Sequence, residues 1–173
     1  MARNFTVSYS ATDFMPATGV IAGAALSAKT GSASYRTLYA FDDSTQEYIV
    51  GQPIIWPDEY TGSGTLKANI FFSAAGSTGT AAWSVNLEAI TPNADSLNIT
   101  TADSFGNAVS GTKALSGTTA GDLLTCSITI TSTSNDSVAS GDGVRLAINR
   151  ATAGADDASG DCFVYAVELY EET

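Results

Sequence analysis

The sequence predicts an all-β protein: a single-domain antiparallel β-sandwich, or jelly roll, of about eight strands. Runs of alternating apolar and polar residues have the period of two that is typical of half-buried strands. Turn residues separate these runs at intervals of about ten positions, and no helical period exceeds one turn. The 173 residues are enough for one domain with its own core, and a hydrophobic content of 44% is too high for a disordered chain.

The clearest strand is predicted over residues 81–90, where Trp83, Val85 and Leu87 share one face. In the last strand, Tyr165 and Val167 are expected on the same apolar face. The remaining strands are predicted at residues 4–9, 35–41, 46–56, 65–73, 122–131, 144–149 and 162–170, with weaker patterns at 96–102 and 105–113.

The chain is predicted to divide into an N-terminal arm, residues 1–34, and a β-sandwich domain, residues 35–173. Residues 17–34 are rich in Ala, Gly and Ser and are expected to run over a surface. The arm carries large apolar side chains but is too poor in them to form a core, so we expect it to be anchored on the body of the chain or on a neighbouring subunit. The candidate interface residues are Phe5, Val7, Tyr9, Phe14, Met15, Trp56 and Tyr60.

The charge of the chain excludes two classes of partner. Asp and Glu number 18 against 7 Lys and Arg, which gives a formal net charge of −11. Phosphate contacts and anionic membrane surfaces require Lys and Arg, so neither nucleic acid nor a membrane is an expected partner. No apolar run reaches the roughly 18 residues of a membrane-spanning helix.

The residue types also argue against an enzyme. The chain has no His, which removes Ser-His-Asp and Cys-His catalysis and imidazole metal sites. Asp156, Asp157 and Asp161 carry oxygen ligands of the kind calcium takes, but their spacing is not that of an EF-hand, and Asp is also a common turn residue. Glu88 and Glu168 lie opposite apolar stripes and are expected to face solvent. No catalytic residue, cofactor or metal ligand is therefore predicted.

Two further pairs leave alternatives open. Cys126 and Cys162 lie in predicted strands and are expected to be buried free thiols, although their spacing also permits pairing. Trp56 and Tyr60 flank the turn at Pro57. They either form an exposed platform for a sugar or close one end of the sandwich core.

Long stretches of the chain resemble small virion proteins of tailed phages, and in shape the jelly-roll capsid decoration (cement) proteins. The stretches are FDDSTQE (41–47), WPDEYTGSGTLK (56–67), AAWSVNLEAI (81–90), ASGDGVRLAINRA (139–151) and DASGDCFVYAVELYE (157–171). Many cement proteins sit as trimers on the outside of the phage head. The resemblance carries no catalytic residues, because its motifs are patterns of strands and turns.

This resemblance implies a non-enzymatic structural protein that binds and stabilises a capsid lattice. Its partner would be the major capsid protein, its state a homotrimer, and its location the virion after assembly in the bacterial cytoplasm. An anchoring arm implies that deletion of residues 1–18 leaves the fold intact and abolishes capsid binding. The alternative is a glycan- or receptor-binding module of a head fibre or tail tip.

Overall fold

The alternating pattern builds two β-sheets in the computed structural model, which describes residues 2–16, 22–23, 25–30, 35–151 and 155–173. A 3-10 turn, Ala11–Asp13, joins the first two strands. The described residues contain no helix long and apolar enough to cross a membrane. The described strands are β1 (Arg3–Ser10), β2 (Phe14–Pro16), β3 (Ala22–Gly23), β4 (Ala25–Thr30), β5 (Tyr35–Phe41), β6 (Glu47–Gly51), β7 (Ile54–Ile55), β8 (Thr65–Ala74), β9 (Thr80–Ile90), β10 (Val109–Ala114), β11 (Leu124–Ile130), β12 (Gly143–Arg150) and β13 (Cys162–Glu172).

The two sheets pack face to face. Sheet A has the order β11-β8-β13-β5-β4, and β1 lies beside the second half of β13. Sheet B has the order β10-β9-β12-β6-β2, with β7 beside β12 and β3 beside β6. The described ladders are antiparallel except the short β3–β6 pair, so the predicted antiparallel sandwich is confirmed. Of the two segments with weaker patterns, residues 96–102 form no strand, whereas residues 109–114 form β10.

The chain changes sheet at most of its connections. It crosses from β5 to β6, from β7 to β8, from β8 to β9, and again on each step from β10 to β13. Most neighbouring strands are therefore distant in the sequence, as in jelly rolls; β4 beside β5 and β9 beside β10 are the sequential pairs. Gly111 in β10 lies where the two sheets meet at one edge, and a Cβ there would come within 2.8 Å of Ile128 Cγ1 in β11. A glycine is needed at this position because the two edge strands approach so closely.

The N-terminal segment is built into both sheets. β1 pairs with β13 from Arg3 to Ser10, and β2 pairs with β6. The Tyr39 hydroxyl of β5 donates to the Phe14 carbonyl of β2 at 2.7 Å, which ties the two sheets together. Of the predicted surface stretch, residues 17–21, 24 and 31–34 lie outside the described residues, whereas 22–23 and 25–30 form strands.

The last strand departs from the predicted alternation. Val164 pairs with Phe72 and Ala166 with Phe71, so Tyr165 is an extra residue in a β-bulge. An inserted residue reverses the parity of the strand, so the inward side chains are Val164 before the bulge and Val167 after it. The expectation that Tyr165 shares the apolar face with Val167 is therefore wrong, and its side chain is exposed.

Aromatic side chains fill the space between the sheets. Trp83 is fully buried, and its ring meets those of Phe41 and Phe72 at 5.1 and 5.2 Å in edge-on contacts. Cys126 and Cys162 are both buried free thiols, as predicted. Burial raises the pKa of Cys126 to about 11 and that of Cys162 to about 12, so neither thiol is a nucleophile at neutral pH.

A buried arginine connects strand β12 to the loop that precedes β13. The guanidinium of Arg150 donates to both carboxylate oxygens of Asp156, at 3.0 and 2.9 Å. Its remaining donors reach the carbonyls of Phe41, Ala158 and Gly160 at 3.2, 2.6 and 2.7 Å. All five N–H donors of the guanidinium are therefore satisfied, as a buried charge requires.

A second buried charge fastens the loop 57–64 to the last strand. The Glu171 carboxylate accepts hydrogen bonds from Asn4 Nδ2 at 2.6 Å, the Gly64 amide at 2.9 Å and the Thr61 amide at 3.2 Å. A Cβ at Gly64 would lie 2.7 Å from Glu171 Cγ, which leaves room only for glycine. Burial raises the pKa of Glu171, but these hydrogen bonds outweigh it and leave the pKa below its ordinary 4.5.

This carboxylate predicts an acid-sensitive contribution to stability. Because its pKa is lower in the folded chain, the stabilisation is present above pH 4.5 and is lost as the pH falls through the folded value. We expect Glu171→Gln to lower the urea midpoint at pH 7 and to differ less from the wild type as the pH falls through the folded pKa of Glu171. Glu59→Gln, in the exposed part of the same loop, is the control and should leave the urea midpoint unchanged at both neutral and acid pH. A Glu171→Gln deficit that is constant with pH would contradict this role.

Candidate functional site

Most of the predicted interface residues are part of the chain's own core. Phe5, Tyr9 and Phe14 are buried, and Val7 packs partly buried against them. Of the candidate interface residues in the arm, only Met15 is exposed, because β2 turns Phe14 inward and Met15 outward. These side chains anchor the arm on the body of the chain itself. The buried ones, Phe5, Tyr9 and Phe14, are therefore not available to a neighbouring subunit.

The candidate sugar platform at Trp56 and Tyr60 is also internal. Trp56 is 1% exposed, and its ring lies 5.1 Å from that of Phe5 and 5.7 Å from that of Tyr60. Tyr60 is half-buried and packs edge-on against Phe5 at 5.8 Å. The three rings close one end of the sandwich, so Trp56 presents no face to a ligand.

Sheet B carries an apolar groove of about 320 Å³. It lies where β6 ends at Gly51 and the chain bends through Pro53 into β7. Proline has no N–H to donate to a strand ladder, so the strand is interrupted there. The side chains of Met15, Ile55 and Ile99 are 51, 72 and 71% exposed there. We call this surface the aliphatic groove; it is lined by Met15, Val50, Gly51, Pro53, Ile55, Ile90, Pro92, Ile99, Gly143 and Arg145.

The positive charge of Arg145, at the rim of the aliphatic groove, is neutralised by carboxylates. Arg145 forms an ion pair with Glu88 and a second with Asp103 at 2.5 Å. Its guanidinium also lies 5.2 Å from the centre of the Phe105 ring. Glu88 is fully buried and accepts a hydrogen bond from the Ser104 amide at 2.6 Å, so the prediction that it faces solvent is wrong. The loop over residues 103–105 covers it, a contact that strand alternation cannot reveal.

The predicted acidic loop is occupied by internal contacts. Asp156 binds Arg150 and accepts from the Ala82 amide at 2.8 Å, and Asp157 accepts from the Thr80 amide at 2.6 Å. Within the described part of the chain, which omits residues 152–154, no three His, Cys, Asp or Glu side chains are grouped to hold a metal ion. Glu168, the other candidate acid, forms an ion pair with Arg3 at 2.9 Å. These acids are used within the fold, and the aliphatic groove is the candidate contact surface.

Sequence reasoning identified Met15 but missed Ile55 and Ile99. Ile55 lies in the run 46–56, which is predicted as one strand with an interruption near Gly51 and Pro53, and this interruption turns Ile55 outward. Ile99 lies in the weak segment that forms no strand. Ile99 stands alone between Asn98 and Thr100, which was the available signal, whereas Ile55 stands between Ile54 and Trp56 and carried no such signal.

Comparisons with known proteins give the chain no family. No family model matches it, and no curated protein matches it. Among solved structures it is similar to a carbohydrate-binding module specific for non-crystalline cellulose, CBM28, at 12% identity and a TM-score of 0.48, covering 92% of this chain and 87% of that one. It is also similar to the CBM22-1 xylan-binding domain of Paenibacillus barcinonensis Xyn10C, at 11% identity and a TM-score of 0.45, covering 96% and 95%.

A third structure is viral. The VP2 subviral particle of infectious bursal disease virus is 10% identical with a TM-score of 0.29, covering 91% of this chain and 41% of that one. Similarity at these levels says nothing about what the present chain binds.

Proposed function

We propose that this protein is a non-enzymatic structural component of a phage virion that docks on the outer surface of the capsid lattice and stabilises it. The observation that carries the proposal is the aliphatic groove, where three large apolar side chains are more than half exposed on one face. Exposed apolar surface of this kind is typical of protein contacts. The sequence resemblance to virion proteins supports the choice of partner, the major capsid protein.

The chemistry of the groove favours a protein as its occupant. Its exposed side chains are aliphatic, and its one cation, Arg145, is already paired with two carboxylates. An apolar segment of a capsid subunit matches such a lining, whereas a sugar needs polar partners for its hydroxyl groups. A glycan- or receptor-binding module stays the alternative proposal, but its platform is not Trp56.

The groove predicts a specific loss of capsid binding. We expect the double variant Ile55→Ser, Ile99→Ser to bind undecorated heads of the parent phage at least about tenfold more weakly, because burial of one Ile contributes roughly 1.5–3 kcal/mol. Co-sedimentation of the protein with the heads measures this. Both residues are exposed, so the thermal midpoint should stay close to that of the wild type.

The control for this experiment is Leu123→Ser, a similarly exposed aliphatic residue before β11 on the other sheet. It should decorate the heads as the wild type does. Full occupancy by the groove variant, or an equal loss in the control, would remove the groove from the interface. Size exclusion with light scattering tests the proposed homotrimer, whose mass is three times 17.7 kDa.

A further inference from the structure

The β-bulge in β13 brings an aromatic ring to the surface of sheet A. Tyr165 has no partner on β8 because Val164 and Ala166 pair with consecutive residues there. Its side chain points away from the core and is 46% exposed. Bulges are devices that re-aim one side chain while the flanking strand stays paired, and they recur beside binding sites. The ring is therefore held by a rigid strand rather than by a loop.

The ring stands between two depressions in the outer surface. One, of about 220 Å³, is lined by Tyr165 with Leu38, Ser73, Gly121 and Leu123. The other, of about 350 Å³, is lined by Tyr165 together with Ser8, Tyr9, Ser10, Ala11, Thr12, Asp13, Thr37 and Ala166. Ligands that reach from one depression to the other must cross the exposed aromatic ring.

The second depression is rich in hydroxyl groups and contains no cation in its lining. Ser8, Ser10 and Thr37 contribute hydroxyls that both donate and accept. The 3-10 turn fixes part of this rim, because the Ser10 amide and hydroxyl both donate to Asp13 Oδ2 at 2.7 Å. Asp13 is the one charged side chain of the lining, and it is negative.

We infer that the Tyr165 surface is a binding site for a neutral glycan. A sugar ring presents apolar C–H groups to an aromatic face and hydroxyls at its edge, and this surface offers an exposed ring beside a hydroxyl-lined depression. A net charge of −11 and the carboxylate of Asp13 select against anionic polysaccharides. The site lies on sheet A, whereas the aliphatic groove lies on sheet B, so one molecule can contact a capsid and a glycan at the same time.

A single aromatic ring binds one glycan weakly, and the presence of many copies of the site compensates for this low affinity. Many copies on one particle would act together, since linked weak sites gain avidity without new contacts. This inference goes beyond capsid docking and stands on different residues.

Affinity gel electrophoresis of the purified chain tests the inference. The gels contain a soluble β-1,4-glucan, a β-1,4-xylan or dextran as neutral probes, and alginate as the anionic one. We expect at least one neutral polysaccharide to retard the wild type and alginate not to. Tyr165→Ala should weaken the retardation by about tenfold, and Tyr165→Phe, which keeps the ring, should retain most of it.

The control variant is Ile55→Ser in the aliphatic groove, which should be retarded like the wild type. Absence of retardation by every neutral probe, retardation by alginate alone, or retardation that survives Tyr165→Ala would overturn the inference. Because Tyr165→Ala should still decorate phage heads, failure of this site and failure of capsid docking are seen in separate experiments.

Discussion

Replacement of Arg150 by Met is expected to lower the free energy of unfolding by about 3–5 kcal/mol, the cost of leaving a buried ionic partner alone. Arg150 is fully buried, and Asp156, its partner, has a side chain that is only 3% exposed. The substitution leaves that carboxylate unpaired and three carbonyls without a donor. Urea denaturation, with the slope compared between variants, measures the loss.

Two variants show whether the loss belongs to this buried pair. Arg150→Lys should not restore stability, because an ammonium group cannot reproduce the planar fork that binds both oxygens of Asp156. Lys67→Met removes a partly exposed ion pair with Glu172 and should lower the free energy of unfolding far less than Arg150→Met does. Equal losses at Arg150 and Lys67 would show that Arg150 does not hold the loop before β13.

Deletion of residues 1–18 is expected to abolish cooperative folding, the opposite of what an anchoring arm implies. The deletion removes β1 from sheet A and takes Phe5, Tyr9 and Phe14 out of the core. Loss of one large core side chain costs about 3–5 kcal/mol, and a whole domain is stable by about 5–15 kcal/mol. The deletion also uncovers the ring of Trp56, which packs against Phe5.

Thermal unfolding followed by near-ultraviolet circular dichroism measures this effect. Thr6→Lys provides the matched control, because Thr6 is an exposed residue of β1 and its strand pairing is kept. That variant should melt as the wild type does. A truncated chain with the wild-type transition would show that β1 is dispensable for the fold.

The sandwich was predictable because its strands obey simple alternation. Trp83, Val85 and Leu87 are buried in β9 as the pattern predicts, and the same holds for Ile128 and Ile130 in β11. Alternation fails at two positions, for two different reasons. A bulge turns Tyr165 outward, and a covering loop buries Glu88. Neither event leaves a local signature in the sequence.

The candidate sites were harder to predict because exposure depends on tertiary packing. Phe5 and Trp56 are large apolar residues from distant parts of the sequence, and both are buried where their rings meet at 5.1 Å. Ile55 looks the same in the sequence and is 72% exposed. Composition alone cannot separate these cases, since it does not show which strand lies beside which.

The pairing of β1 with β13 also sets the order in which the molecule is completed. In a nascent chain β1 finds its strand partner only after β13 has been made, because its pairing runs from Ala166 to Glu172, and the Thr173 amide donates to the Ala2 carbonyl at 3.1 Å. Until then β1 lacks its strand partner, so Phe5 and Tyr9 are not fully covered. Protection of these side chains during synthesis is therefore part of the route to the folded protein.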